Sequence, residues 1–116
     1  MTAANGGAEP PLQIDVAQLA AFKTSAAPHR VLDVREPWER DLCKIAGSID
    51  IPLNEIPERI DEVREGEGPL VVICHHGMRS LNATVWLRGQ GVAAAINLKG
   101  GIDAWARQID PTLKLY

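Results

Sequence analysis

A chain of 116 residues with 46% hydrophobic and 23% charged residues has the size and balance of one globular domain with a single hydrophobic core. Its net charge of −3 offers no basic field for nucleic acid or an anionic membrane surface. Two cysteines, Cys43 and Cys74, are too few for a disulfide framework. With no run near the ~20 apolar residues of a membrane span, a reducing, cytoplasmic setting is expected.

Residues 1–11 are small, polar and Pro/Gly-containing, with neither a basic start nor an apolar run. They read as a disordered lead rather than a signal peptide, leaving 12–116 as the domain. Asp15 has Gln18 at the capping-box offset, which predicts a helix with Val16, Leu19, Ala20 and Lys23 on one face. Arg30-Val31-Leu32-Asp33 is a short buried strand, and Pro37 is expected to stop any helix from running through the turn after it. Ile49-Asp50-Ile51 is a second strand ended by Pro52. Asn54 then caps a helix with Pro57 in its first turn and an inward stripe of Ile56, Ile60 and Val63. A Gly66–Pro69 turn leads into the apolar run Leu70-Val71-Val72-Ile73. The helix from Ser80 that follows buries Leu81, Ala83, Val85 and Leu87 and ends at Gly89 or Gly91. Ala94–Leu98 is a last strand and Ile102–Gln108 a last helix. Alternating strands and helices predict a parallel sheet covered on both faces, a small three-layer α/β domain.

The chemistry concentrates at Cys74-His75-His76-Gly77-Met78-Arg79-Ser80. A cysteine leaving the carboxyl end of a buried strand and entering a helix N-terminus sits where open α/β sheets bind ligands. Unpaired N–H groups there favour anions, and Arg79, with His75 and His76 when protonated, adds positive charge that favours a thiolate. Gly77 supplies the backbone freedom of a tight loop, and Ser80 starts the helix with its hydroxyl toward the loop. The competing reading is an inert cysteine closing a core strand. Only His29 and Cys43 remain as further metal ligands of the soft type, so no metal is expected.

Cys74-x4-Arg79 is one residue shorter than the Cys-x5-Arg loop of protein tyrosine phosphatases and resembles the loop of the rhodanese family. Further blocks fall in the same order. Leu32-Asp33-Val34-Arg35-Glu36-Pro37-Trp38-Glu39 resembles Asp-x-Arg-x-x-x-Glu, Gly47–Pro52 is similar to Gly-Ala-x-x-x-Pro, and Gly100–Trp105 matches Gly-Gly-x-x-x-Trp. The chain departs at Cys43-Lys44-Ile45, where many members carry Gly-His-Ile. The resemblance implies about five parallel strands with helices on both faces, and a sulfurtransferase without cofactor. In that reading Cys74 takes a sulfane sulfur from a small anionic donor such as thiosulfate, or from a persulfide. It passes the sulfur to cyanide, a thiol or a sulfur-carrier protein, while the loop from His75 to Ser80 holds the persulfide. Ile109–Tyr116, with the Cys-His-His-Gly loop, is also similar to rhodanese domains fused behind carrier-protein adenylating enzymes.

Arg35, one residue past Asp33 at a strand end, is expected to bind the anionic donor or orient the loop, with Asp33 capping turn N–H groups or holding Arg35. Trp38, Trp86 and Trp105 read as packing residues, Trp38 bordering the pocket, and Cys43 as a half-buried residue or a persulfide-resolving thiol. Two other classes stay open: a cysteine-dependent phosphatase or arsenate reductase of the same fold, and a non-catalytic partner-binding module.

Overall fold

Five parallel strands lie in the order β1-β5-β4-β2-β3 in the computed structural model, which describes residues 10–116. They are β1 (Gln13–Ile14), β2 (Arg30–Asp33), β3 (Ile49–Asp50), β4 (Leu70–Ile73) and β5 (Ala95–Leu98). Helices α1 (Val16–Ser25) and α6 (Gly101–Gln108) cover one face, where Leu19, Ile102 and Trp105 pack on Val31, Val71, Ile73 and Ile96. On the other face α3 (Ile56–Arg59), α4 (Asp61–Arg64) and α5 (Met78–Gly89) bring Ile56, Val63, Ala83 and Leu87 onto Leu32, Leu70, Val72 and Ala95. The alternation along β4 follows from the two-residue period of a strand, and a fully buried leucine such as Leu87 contributes about 1.5–3 kcal/mol. The expected three-layer α/β architecture is present.

Several local details differ from the sequence expectations, each for a physical reason. β1 escapes a periodicity reading because it is only two residues long. It exists through pairing with β5, where Asn97 N donates to Leu12 O and Lys99 N to Ile14 O, both at 2.8 Å. Pro37 keeps helix out of the Asp33–Arg35 turn, as expected, and also begins one the sequence reading does not place, α2 (Pro37–Leu42). A proline at the first helical position loses no needed N–H, and Glu36 and Glu39 form a capping box around it. Asn54 caps nothing, because Pro52 leads into a 3-10 turn at Leu53–Glu55. Helix α5 starts at Met78, and its buried face uses Ser80 and Thr84 while Val85 is 55% exposed. Thr84 tolerates burial because its hydroxyl donates to Ser80 O at 2.8 Å. Of the expected disordered lead, residues 1–9 lie outside the described residues. Pro10 and Pro11 are held by Arg88 Nη2, which donates to their carbonyls at 2.9 and 2.7 Å.

Candidate active site

Connections leave β2 toward β3 and leave β4 toward β5, in opposite directions across the sheet, so a crevice opens beyond the carboxyl ends of β2 and β4. Cys74 enters it directly from β4 and is buried. Gly77 turns the chain with φ 103°; a Cβ there would stand 3.1 Å from Gly100 N and 3.2 Å from Leu98 O. That turn aims backbone donors at the sulfur. Gly77 N and Ser80 N lie 3.1 and 3.4 Å from Cys74 Sγ, and Ser80 Oγ lies 3.2 Å away. The amides that reach Sγ are thus those of Gly77 and Ser80 rather than those of the two histidines.

The back of the loop is gripped by α6. Ile102 N donates to Cys74 O at 2.9 Å and Asp103 N to His75 O at 3.0 Å. This approach requires glycine at 101, since a Cβ there would fall 2.5 Å from both carbonyl oxygens. The Gly100-Gly101 pair of the sequence motif therefore acts on the loop from a different element.

The two arginines are arranged differently from expectation. Arg79 gives both terminal nitrogens to Glu39 of α2 at 2.7 Å, a bidentate ion pair on a nearly buried carboxylate. Hydrogen bonding from Arg79 holds the Glu39 carboxyl down at about 2, against a smaller opposing effect of burial. Arg35 does not face the pocket mouth. It is fully buried, salt-bridged to Asp33 at 2.8 Å, and it donates to the carbonyls of Glu39 and Cys43 at 3.2 and 2.7 Å. The guanidinium cannot meet a dissolved anion there. It ties β2 to the middle of α2 at Glu39 and to its C-cap at Cys43, and so positions Glu39. Asp33 accepts from Arg35 N and from its guanidinium, the holding role expected of it.

His75 is sandwiched. Its ring stacks on His76 at 3.9 Å and on Tyr116 at 3.8 Å, the latter nearly parallel at 7°. Burial, with the neighbouring His76 as a lesser cause, lowers the His75 pKa and favours the neutral ring. His76 and Met78 point outward, Met78 with 71% exposure as the first residue of α5. Asp103 brings a carboxylate near both histidines, their candidate ligand atoms lying within 4.8 Å of one another. Asp103 is also paired with Arg107 at 3.0 Å.

Three residues of the site carried no role in the sequence reading. Glu39 was visible only as the last member of its motif. Tyr116 donates its hydroxyl to Glu39 Oε1 at 2.9 Å and accepts from Arg35 at 3.1 Å, and burial pushes its pKa up to about 12. Nothing in a terminal tyrosine signals this. Asn97 is buried in β5 beside Ser80, and its signal was a polar residue inside an otherwise apolar strand. Cys43 packs in the core on the α1/α6 face, whereas Cys74 belongs to the core on the α5 face. Of the tryptophans, Trp105 is core, while Trp38 is exposed with its ring edge-on to Tyr116 at 6.1 Å.

A strand-end cysteine under backbone amides, backed by a Gly-Gly helix start, defines the rhodanese class of site. The chain belongs to the rhodanese-like domain family, whose description matches residues 15–108. It is similar to the adenylyltransferase and sulfurtransferase MOCS3 of Drosophila persimilis, with 33% identity over 101 residues, 81% of this chain and 22% of that protein. The chain thus spans about a fifth of the length of that curated relative. A rhodanese-related protein from Thermoplasma volcanium superposes with a TM-score of 0.72 at 33% identity, covering 90% of this chain and 98% of the other. The human single-domain sulfurtransferase TSTD1 gives 0.71 at 25% identity, with 85% and 98% covered.

Proposed function

We propose that this domain is a sulfurtransferase that carries sulfane sulfur on Cys74. The observation behind the reading is the pair of helix-start amides of Gly77 and Ser80 directed at Sγ. The Cys74 thiolate attacks the outer sulfur of the donor. One S–S bond forms as the donor's bond to that sulfur breaks, and the leaving group departs with the electron pair, as sulfite from thiosulfate or as a thiolate from a persulfide. An acceptor nucleophile then attacks the terminal sulfur and releases Cys74 as thiolate. This is covalent catalysis in two displacements, with charge stabilised by backbone dipoles and no cofactor in any step. Both arginines near the loop are already paired with carboxylates. That pairing supports a persulfide donor over a thiosulfate dianion, because less free positive charge is left to bind the latter. A thiol or a sulfur-carrier protein is the proposed acceptor; the relative from Drosophila persimilis, itself named a sulfurtransferase, supports the transfer of sulfur.

Intact protein incubated with a persulfide or thiosulfate is expected to gain ~32 Da at Cys74, one sulfur, and to lose it to cyanide or a thiol. Cys74→Ser is expected to fold and to show neither the adduct nor turnover. Undiminished transfer in that variant would remove Cys74 from the mechanism, and an unmodified wild-type protein would favour the partner-binding alternative. The short loop should also exclude a tetrahedral phosphate. Cys74-dependent hydrolysis of an aryl phosphate faster than sulfur transfer would reverse the assignment.

A further inference from the structure

His75, His76 and Asp103 each bring one ligand atom to the same place, all within 4.8 Å of one another. The sequence offered His29 and Cys43 as further soft ligands, and among the described residues neither joins the two histidines. The fold supplies a different third member. Asp103 lies in the first turn of α6, and its backbone N donates to His75 O at 3.0 Å while Ile102 N holds Cys74 O at 2.9 Å. The carboxylate is thus fastened to the loop that carries the histidines. Arg107 Nε donates to Oδ2 at 3.0 Å, which orients the carboxylate and leaves the lone pairs of Oδ1 for another partner. His75 adds an independent sign. Its Nε2 is buried and has no hydrogen-bond partner, a condition that native structures rarely carry without a reason. Stacking on His76 and Tyr116 takes up the two faces of the ring. A metal ion binds an imidazole nitrogen at the ring edge, so the stack leaves that approach open.

We propose that His75, His76 and Asp103 form a binding site for a divalent transition-metal ion of the Zn²⁺ type at the rim of the Cys74 loop. Two imidazoles and a carboxylate suit Zn²⁺, whereas Mg²⁺ and Ca²⁺ prefer oxygen ligands throughout. An ion about 2.0–2.2 Å from each ligand atom sets those atoms roughly 3.3–3.6 Å apart. The site therefore closes slightly on binding. The exposed His76 ring makes that adjustment by rotating, while His75 and Asp103 are both partly buried and stay fixed to each other through the backbone. Three protein ligands leave a tetrahedral ion one exchangeable position, as in sites that take a further ligand and unlike closed structural sites. The ion adds free positive charge beside a loop whose two neighbouring arginines are already paired with carboxylates. It has no part in the two displacements at Cys74. The site stands independently of the sulfurtransferase reading, and its test uses no sulfur donor.

The experiment is calorimetric titration of the full, tag-free chain with Zn²⁺ at neutral pH. One ion per chain is expected in the wild type, and Cys74→Ser should retain it, because the sulfur is not a ligand. His76→Ala and Asp103→Asn should each weaken binding roughly tenfold or more, whereas His29→Gln, which changes the third histidine of the chain, should leave it unchanged. Co²⁺ bound to the Cys74→Ser protein should show the visible bands of nitrogen and oxygen ligation without a sulfur-to-metal charge-transfer band. No binding to the wild type overturns the proposal, as does binding that survives both His76→Ala and Asp103→Asn. Loss of the ion in Cys74→Ser would place it on the thiolate instead, and a charge-transfer band in that variant would place it on Cys43; either result overturns the proposal. If Asp103→Asn does not fold, His76→Ala, which alters an exposed ring, decides alone: unchanged affinity there refutes the site.

Discussion

Glu39→Gln isolates the charge that links α2 to the active loop. The carboxylate accepts both terminal nitrogens of Arg79, the Tyr116 hydroxyl and the Glu36 amide. Glutamine keeps the shape but turns an amide group toward a guanidinium that has nothing to offer but donors. Held at about 2 against an ordinary 4.5, chiefly by Arg79, the Glu39 carboxyl sets an upper bound of about 3 kcal/mol on its contribution at neutral pH. The Arg79 side chain is 37% exposed, so solvent screening lowers the expectation to about 1–2 kcal/mol. Since the folded-state value is depressed, this stability is complete above about 4.5 and is lost as pH falls through about 2. Urea unfolding of both proteins at pH 7, 5 and 3 reads the difference directly. The gap should be largest at pH 7 and clearly narrower at pH 3. Equal stability at pH 7, or a gap that does not change down to pH 3, would refute an ionic role for Glu39. The released Arg79 should at the same time lower the KM for thiosulfate, most visibly at low salt.

Arg35→Ala should act on folding and not on donor binding. It leaves Asp33 buried and uncompensated, a loss of about 3–5 kcal/mol that thermal denaturation detects; an unchanged Tm with a raised KM would restore the donor-binding role expected of Arg35. Tyr116→Phe keeps the stack on His75 and loses the hydroxyl's bonds to Glu39 and Arg35, for about 1 kcal/mol, whereas Tyr116→Ala also frees the His75 ring and should destabilise more. Equal Tm losses in the two variants would place the whole effect on the hydroxyl.

The parts of the site that could be read in advance are those contiguous in the chain. An apolar strand, a cysteine, a glycine and a helix start follow one another within Leu70–Gly89, so local rules suffice for Cys74, Gly77 and Ser80. The parts that could not are partnerships between elements. Arg79 and Glu39 are 40 residues apart, and only the folded chain, which brings them to 2.7 Å, shows that the cation is already paired. Arg35 was expected at the mouth because its strand end was correctly placed. Its direction was decided by the α2 carbonyls, which have no sequence signal. Tyr116 and Asn97 make the same point: each acts through hydrogen bonds to residues brought close by folding. The rule applied to Pro37 holds for the turn before it, and the same missing N–H that keeps a helix out of that turn lets one begin at Pro37.

The grip of α6 on the loop has a consequence for how such a site is remodelled. Cys74 O and His75 O are held by amides of α6, and Gly77 abuts Gly100 and Leu98. The width of the ring is therefore set from outside it, by where α6 begins. A residue added between Cys74 and Arg79 could not simply enlarge the ring toward a bigger oxyanion, because the inserted backbone would meet the start of α6. Loop length and the Gly100-Gly101 step form one structural unit. A graft of a longer loop would need a matching retreat of the helix behind it.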